Sequence, residues 1–137
     1  MRKIPLTLFA AGLFALGSAH AADPSLRLGH QTSGKLSESN RPSDNGGRNQ
    51  DYTLRLEAGQ LIAISAKSTD FDPVLVLFAP DGSKLAENDD RADGDTNSLI
   101  VASTSIAGDY LVRLNSLGSG ENAVGAYTIK ASVVSDD

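Results

Sequence analysis

The sequence predicts an all-β protein, namely an antiparallel β-sandwich of seven to eight strands with a jelly-roll-like topology. Apolar and polar residues alternate in short segments, which is typical of strands with one buried face. Turn residues separate these segments at intervals of about ten residues, as in sandwiches. In addition, no helical periodicity persists in the sequence for three turns.

The first 22 residues have the pattern of a secretory signal peptide. Arg2 and Lys3 form a basic start, an apolar run follows at 4–16, and Ala19-His20-Ala21 has the small residues at which such leaders are cleaved. The run is shorter than the roughly 20 residues that a transmembrane helix needs. We therefore expect a periplasmic or secreted protein with no membrane span once the leader is removed.

Residues 23–50 are expected to be an N-terminal arm. This segment is rich in Ser, Gly, Asn, Asp and Arg, and its leucines stand only at positions 26, 28 and 36. A linker is the favoured interpretation, because such a composition offers little to a core. The segments 26–28 and 35–37 could nevertheless each add a short edge strand.

The sandwich domain is predicted to span 51–134. Alternation over 51–57 and 60–66 predicts two strands that pair as a hairpin through Ala58-Gly59. The apolar run at 74–78 predicts a strand covered on both faces, which Pro80-Asp81-Gly82 ends with a turn.

A short strand near 84–86 and further strands at 99–101, 110–114 and 127–133 complete the set. The residues predicted to face the core are Tyr52, Leu54, Leu56, Ile62, Ile64, Val76, Phe78, Tyr110, Val112, Leu114, Tyr127 and Ile129.

The charge balance and the lack of cysteine exclude several classes of protein. The chain has 12 basic and 17 acidic residues, and two of the basic ones belong to the leader. Such an acidic protein lacks the basic surface that binds nucleic acid. The absence of cysteine excludes disulfides, a lipoprotein anchor and thiolate chemistry.

Few residues could act in catalysis. Beyond the leader the only histidine is His30, which lies in the arm, where a surface role is favoured over that of a general base. The sequence contains no GxSxG, HExxH, phosphate-loop or GxGxxG motif. We therefore expect no enzymatic activity, and a small hydrolase that uses two carboxylates is the weaker alternative.

Acidic residues are densest at 70–97. Oxygen ligands at short spacing are what calcium takes, so the loop at 88–95, together with a second loop at 70–72, is a candidate calcium site. An EF-hand does not fit, because Arg91 and Ile100 stand at two ligand positions. Solvated acidic turns and side-chain caps on backbone amides are an equal alternative.

Eight short motifs follow one another in a specific order and spacing: Gly34-Lys35-Leu36, Ala58-Gly59-Gln60, Phe71-Asp72-Pro73, Pro80-Asp81-Gly82, Asn88-Asp89-Asp90, Asn97-Ser98, Gly108-Asp109-Tyr110 and Gly125-Ala126-Tyr127. Over about 34 to 132 this order resembles the bacterial pre-peptidase C-terminal domain, a β-sandwich module commonly appended to secreted proteases. The resemblance implies the sandwich fold, and it carries no active site with it.

The same resemblance implies a ligand set for calcium. The related collagen-binding domains of clostridial collagenases bind this ion. By that resemblance the ligands here would be Asp72, Asp89 and Asp90, with Asn88, Asp93 and Asp95 as adjuncts.

No peptidase domain precedes the sandwich in this sequence, so we expect an exported, non-catalytic binding or accessory module. It would recognise a protein or polysaccharide surface through one sheet face or the loops at one end, with calcium as a candidate stabiliser. The lack of tryptophan slightly favours a protein ligand. The alternative is an accessory or protective partner of a secreted peptidase.

Four basic residues on or near predicted strands, Lys67, Lys84, Arg113 and Lys130, could mark such a face. Solubilising outward charges are the favoured interpretation of these residues.

Overall fold

A computed structural model of the chain describes residues 22–43, 46–89 and 97–134. The predicted signal peptide lies outside these residues except for Ala22. Within the described ranges, no helix is long and apolar enough to cross a membrane.

The described residues form nine strands, and a 3-10 turn at Gly120–Ala123 precedes the last of them. The strands are β1 (Thr32–Leu36), β2 (Arg41–Pro42), β3 (Arg48–Leu56), β4 (Leu61–Lys67), β5 (Asp72–Phe78), β6 (Lys84–Asn88), β7 (Ser98–Ser103), β8 (Gly108–Leu117) and β9 (Gly125–Val133).

The strands form two antiparallel sheets, with the orders β1-β9-β4-β7 and β2-β3-β8-β5-β6. When the two-residue strand β2 is set aside, the first strand pairs with the last, the second with the last but one, and so on inward to the β5–β6 pair. This nested pairing is that of a jelly roll. The predicted fold class is therefore confirmed, with β2 bringing the number of strands to nine.

The predicted hairpin of the first two confident strands is wrong. β3 pairs with β8, whereas β4 pairs with β7 and β9 in the other sheet. Gly59, at a φ of +78°, turns the chain from one sheet to the other, and its amide donates to the carbonyl of Thr104. The buried inner residues are Tyr52, Leu54 and Leu56 in β3 and Ile62, Ile64 and Ala66 in β4, and they pack across the sandwich rather than side by side.

The interpretation of residues 23–50 as a linker is also wrong for the part that the structure describes. β1 pairs along its length with β9, and Leu36 is fully buried. Leu26 is 5% exposed, and its amide donates to the carbonyl of Thr53. The alternative of an edge strand is correct for β1, which ends one sheet. The sandwich thus begins well before residue 51.

The register of β5 differs from the prediction by one residue. Leu75 and Leu77 lie in the core, whereas Val76 and Phe78, which the sequence places inward, lie on the opposite face. An uninterrupted apolar run contains no alternation from which the inner face could be read. The prediction that both faces of this strand are covered is correct, because Val74 and Val76 are each 5% exposed. The other ten residues predicted to face inward all lie in the core.

A cluster of aromatic rings closes one part of the core. Gly34 lies directly opposite Tyr127, and a Cβ atom at Gly34 would overlap the tyrosine ring. The hydroxyls of Tyr127 and Tyr52 hydrogen-bond to each other, and Phe71 meets Tyr127 edge-on at 6.1 Å. Burial and this hydrogen bond raise the pKa of Tyr127 above its ordinary value. Position 34 therefore requires glycine, because any larger side chain would collide with the ring of Tyr127.

We expect Leu36→Ala to lower the free energy of unfolding by about 2–5 kcal/mol, because it removes a fully buried side chain and leaves a cavity. Urea unfolding of the purified protein measures this change. Lys35→Ala is the matched control on the exposed face of the same strand, and we expect less than about 0.5 kcal/mol there. Equal, small effects of the two substitutions would mean that β1 does not belong to the folded domain.

Candidate functional site

Polar residues gather on the outer face of the five-stranded sheet, the face that points away from the core. The register of the strands places outward residues in rows that cross the sheet. One row contains Asn49, Asn115 and Val74, and the next contains Asp51, Arg113, Val76 and Glu87. Because β3 and β8 are central strands with β5 beside them, these side chains lie in the middle of the face.

The side chain of Asp51 is only 3% exposed although it lies on this outer face. It accepts hydrogen bonds from Arg41 Nη2 at 2.8 Å and from Arg113 Nε and Nη2 at 2.8 and 3.0 Å. Burial raises the pKa of Asp51, but the hydrogen bonds and charges of Arg113 and Arg41 outweigh this effect and hold the pKa below its ordinary value. The carboxylate is therefore ionised at neutral pH and fixed by two arginines.

Arg113 is fixed from two sides. Its guanidinium pairs with Asp51 and also lies over the ring of Phe78, 5.3 Å from the centroid. The arginine thereby covers the outward apolar surface of β5. The outer face of this sheet is thus an ordered layer of side chains and not a set of independent solvated groups.

Three depressions run across this face, with volumes of about 740, 280 and 420 Å³. The largest shares Asn49 with the second, and the second shares Phe78 and Arg113 with the third. We call these three adjoining depressions the outer-face groove.

The central depression of the groove is polar. The Oδ1 atoms of Asn49 and Asn115 are buried there, and neither has a hydrogen-bond partner within the described residues. At the rim, Lys84 Nζ contacts Glu87 Oε2 at 2.8 Å. A buried polar atom that lacks a partner is costly, which makes these two amides sites for a ligand or for water.

The arrangement offers fixed hydrogen-bond donors and acceptors beside a small apolar surface. Among the described residues that line the central depression there is neither a histidine nor a hydroxyl side chain. Its polar lining therefore consists of amides and charged side chains that could hydrogen-bond to a ligand.

Three of the residues predicted to hold calcium lie in the described part of the chain, at one end of the sandwich. Asp72 begins β5, Asn88 ends β6, and Asp89 follows it. Asn88 pairs with Leu75 in the antiparallel β5–β6 ladder, so the chain beyond Asn88 runs toward the end of β5 that begins at Asp72. Asp90, Asp93 and Asp95 lie outside the described residues. In the described ranges, no group of three or more acidic, histidine or cysteine side chains could hold a metal.

Two other acidic residues of the same window have structural contacts. Asp70 Oδ2 accepts a hydrogen bond from the amide of Ala126, and Asp81 Oδ1 accepts from the amide and hydroxyl of Ser83. These contacts correspond to the alternative of side-chain caps on backbone amides. By contrast, the Oδ1 atom of Asn88 is buried without a hydrogen-bond partner in the described part of the chain.

His30 lies in an exposed turn, where its amide donates to the carbonyl of Arg27. It lines none of the three depressions of the groove.

Sequence reasoning missed most of the groove. It placed Lys84 and Arg113 on a face but favoured solubilising charges, and it did not single out Asn49, Asp51 or Asn115. The available signal was that polar residues stand at alternate positions along β3 and β8, opposite in charge at Asp51 and Arg113. Only the register shows that these positions face each other.

Comparison with known proteins gives a family and a fold. The model of the family described as the bacterial pre-peptidase C-terminal domain matches residues 48–116. In sequence, no curated protein matches this chain.

Several solved structures share the fold. The pre-peptidase C-terminal domain of a collagenase from Bacillus anthracis superposes with a TM-score of 0.57 at 16% identity, over 82% of this chain and 99% of that one. PliG from Aeromonas hydrophila, a periplasmic inhibitor of g-type lysozyme, gives 0.54 at 18% identity, over 82% and 100%. PliG from Salmonella Typhimurium gives 0.53 at 13% identity, over 83% and 100%. At these identities the likeness concerns the fold alone.

We expect Asp51→Asn to lower the free energy of unfolding at pH 7 by about 1–3 kcal/mol, because it removes the carboxylate that two arginines hold. A carboxyl group with a lowered pKa in the folded state stabilises the protein above its unfolded pKa, and this stabilisation is lost as the pH falls through the folded pKa. The difference from the wild type should therefore shrink below about pH 4. Denaturant unfolding across this pH range measures it.

Asp109→Asn is the control for this prediction. Asp109 lies 3.7 Å from Arg55 with both side chains mostly exposed, so its replacement should cost at most about 0.5 kcal/mol. Equal costs for the two variants would contradict the structural role of Asp51.

Proposed function

This chain belongs to the bacterial pre-peptidase C-terminal domain family, and from that premise we propose that it is an exported, non-catalytic binding module. It acts in the periplasm or outside the cell and recognises a protein or polysaccharide surface. The observation that carries this proposal is the outer-face groove, where a buried, ion-paired carboxylate orders the side chains around it.

The energetics of the groove support its assignment as the binding surface. Burying Asp51 has a desolvation cost that the two arginines offset, and the resulting ion pairs hold the outward side chains in fixed positions. Fixed side chains lose little conformational freedom when a ligand binds. The groove is thus organised before the ligand arrives.

The absence of catalysis is part of the proposal. The polar groups at the centre of the groove are amides and ion-paired charges, and none is held against a base in the manner of an activated nucleophile. His30, the histidine that the sequence offers outside the leader, lies in an exposed turn away from the groove. Family membership supports the same conclusion, because the chain shares a domain and not a peptidase with this family.

A second candidate function is that of a partner that protects or regulates a secreted enzyme, such as a peptidase. Two periplasmic inhibitors of g-type lysozyme share the fold of this chain. A jelly roll of this size is therefore compatible with recognition of an enzyme surface, although the low identities transfer no specificity.

Calcium binding at the end of the sandwich is a further part of the proposal. Asp72, Asn88 and Asp89 would provide oxygen ligands, joined by Asp90, Asp93 and Asp95. The buried Oδ1 of Asn88, which lacks a hydrogen-bond partner in the described chain, supports this part of the proposal. The ion would offset the charge of these carboxylates and stabilise the folded state by binding to it.

The proposed binding surface can be tested by retention on immobilised protein. Material from periplasm or culture medium, both protein and polysaccharide, is passed over the wild type, Lys84→Glu and Lys130→Glu. Lys84→Glu places a second acid beside Glu87 at the rim, whereas Lys130→Glu makes the same charge change on β9 of the other sheet. We expect the specifically retained material to fall several-fold with Lys84→Glu alone.

Retention that is lost with Lys130→Glu and kept with Lys84→Glu would place the binding surface on the other sheet. Hydrolysis of a peptide or glycan by the purified wild type would contradict the non-catalytic assignment. Inhibition of a purified lysozyme or peptidase by the wild type would favour the second candidate function.

The calcium proposal predicts a rise in thermal stability. Calcium at about 100 times its dissociation constant should add about 2.7 kcal/mol to the free energy of unfolding, which raises the melting temperature relative to a chelator. Asp89→Ala and Asp90→Ala should abolish the rise, whereas Asp81→Ala, whose carboxylate contacts Ser83, should keep it. Differential scanning calorimetry measures these changes. An equal melting temperature with calcium and with chelator would contradict the proposal.

A further inference from the structure

We propose that the ligand of the outer-face groove is a neutral polysaccharide chain, bound through its hydroxyl groups. This inference rests on the proposed function and specifies its ligand. Four features of the groove favour a neutral sugar chain over an acidic polymer or a protein: its paired cationic groups, its buried amides, its small apolar surface and its three adjoining depressions.

The cationic groups that line the groove are paired with acids. Arg113 and Arg41 pair with Asp51, and Lys84 pairs with Glu87 at the rim, while Asp23 and Asp109 add further acids to the lining. The cationic groups thus already face acids, and the whole protein carries a formal net charge of -5. A polyanion would have to compete with these ion pairs and would be repelled at long range. A neutral ligand meets neither cost.

The amides of Asn49 and Asn115 need hydrogen-bond donors. Their Oδ1 atoms are buried in the central depression without partners in the described chain, and they are adjacent because the two residues pair directly across β3 and β8. A sugar hydroxyl both donates and accepts, so neighbouring hydroxyls on one ring can satisfy an asparagine oxygen and an amide or charged group together. Asn40 and Gln50, which hydrogen-bond to each other, continue this polar lining into the largest depression.

The apolar surface in the groove is small. Val76 is only 5% exposed, and Arg113 lies over the ring of Phe78. A ligand therefore meets mainly hydrogen-bonding groups there, which suits the hydroxyl groups of a sugar. A protein partner, by contrast, is usually anchored by large exposed aromatic or aliphatic side chains. All three tyrosines of this protein are at most 5% exposed, so none of them offers such an anchor.

The exposed apolar side chains of the sandwich that could anchor a protein lie away from the groove. Leu61 and Val101, which are 41% and 55% exposed, belong to β4 and β7 of the four-stranded sheet.

The shape of the groove favours a chain over a single sugar. Three depressions share residues in sequence, Asn49 at one junction and Phe78 with Arg113 at the other. Successive rings of a polymer could occupy them in turn, with the buried amides holding the middle ring. Such repeated contacts strengthen binding without any single strong interaction.

The test is a titration of the isotope-labelled full chain, followed by NMR, with hexasaccharides of β-1,4-glucose, β-1,4-N-acetylglucosamine, β-1,4-xylose and α-1,4-glucose. Oligogalacturonate and gelatin serve as the acidic and the protein comparators. We expect at least one neutral hexasaccharide to shift the side-chain amide signals of Asn49 and Asn115 and the Nε signal of Arg113, with little change in residues of the four-stranded sheet.

Two substitutions make the test specific. Asn115→Ala should weaken binding of that hexasaccharide about tenfold, the effect of losing hydrogen bonds to a fixed amide. Asn122→Ala, at an exposed position in the 3-10 turn, should leave it unchanged. Lys84→Ala at the rim provides a second groove variant, and the melting temperatures of all variants verify that they are folded.

Three results would overturn the inference: no binding of any of the four neutral hexasaccharides, signal changes confined to the four-stranded sheet, or binding of gelatin or oligogalacturonate alone through the groove. The retention experiment with Lys84→Glu distinguishes failure of the saccharide inference from failure of the proposed function, because it tests the binding surface without assuming a ligand. If a protein is retained through the groove and no neutral sugar binds, the binding module stands and its ligand is not a saccharide.

Discussion

The contact between Asp51 and Arg113 organises the outer face of this protein. The two residues stand opposite each other on β3 and β8, and a carboxylate that is 3% exposed requires both arginine partners to remain ionised. Because Asp51 fixes Arg113, the guanidinium lies over Phe78 and covers β5. Arg41 connects the same carboxylate to the short strand β2. The Asp51 carboxylate therefore connects β2, β3, β8 and, through Arg113, β5.

The two faces of the five-stranded sheet have different tasks. The inner face supplies leucines, valine and tyrosines to a core that ten of the predicted inward residues help to form. The outer face has rows of polar side chains. Ion pairs offset the free-energy cost of burying some of these groups, and in our proposal a ligand satisfies the polar atoms that lack partners. This difference between the faces suits a binding module. Packing in the core fixes the register of the strands, and the register determines which outward side chains lie next to each other.

Acidic residues serve separate purposes that composition alone does not distinguish. Asp70 and Asp81 satisfy local backbone amides, and Asp51 holds two arginines. Asp72 and Asp89 lie at the end where we propose calcium. The dense window at 70–97 attracts attention in the sequence, yet the carboxylate with the largest structural role lies outside it. The density of acidic residues in the sequence thus indicated the turns. The polar cluster on the sheet face could be found only from the pairing of strands that are distant in the chain.

The sequence by itself determined the fold class, the family and most core positions. Alternation with period two and regular turn residues are local signals, and they are strong in β3, β4, β8 and β9. Only the tertiary structure decided the partners of each strand, the inner face of the apolar strand β5 and the inclusion of β1 in the sandwich. It also decided the groove, whose residues come from strands more than 60 positions apart in the chain, such as Asp51 and Arg113. The physical reason is that periodicity states which residues of a strand share a face, whereas pairing across sheets depends on packing between distant segments.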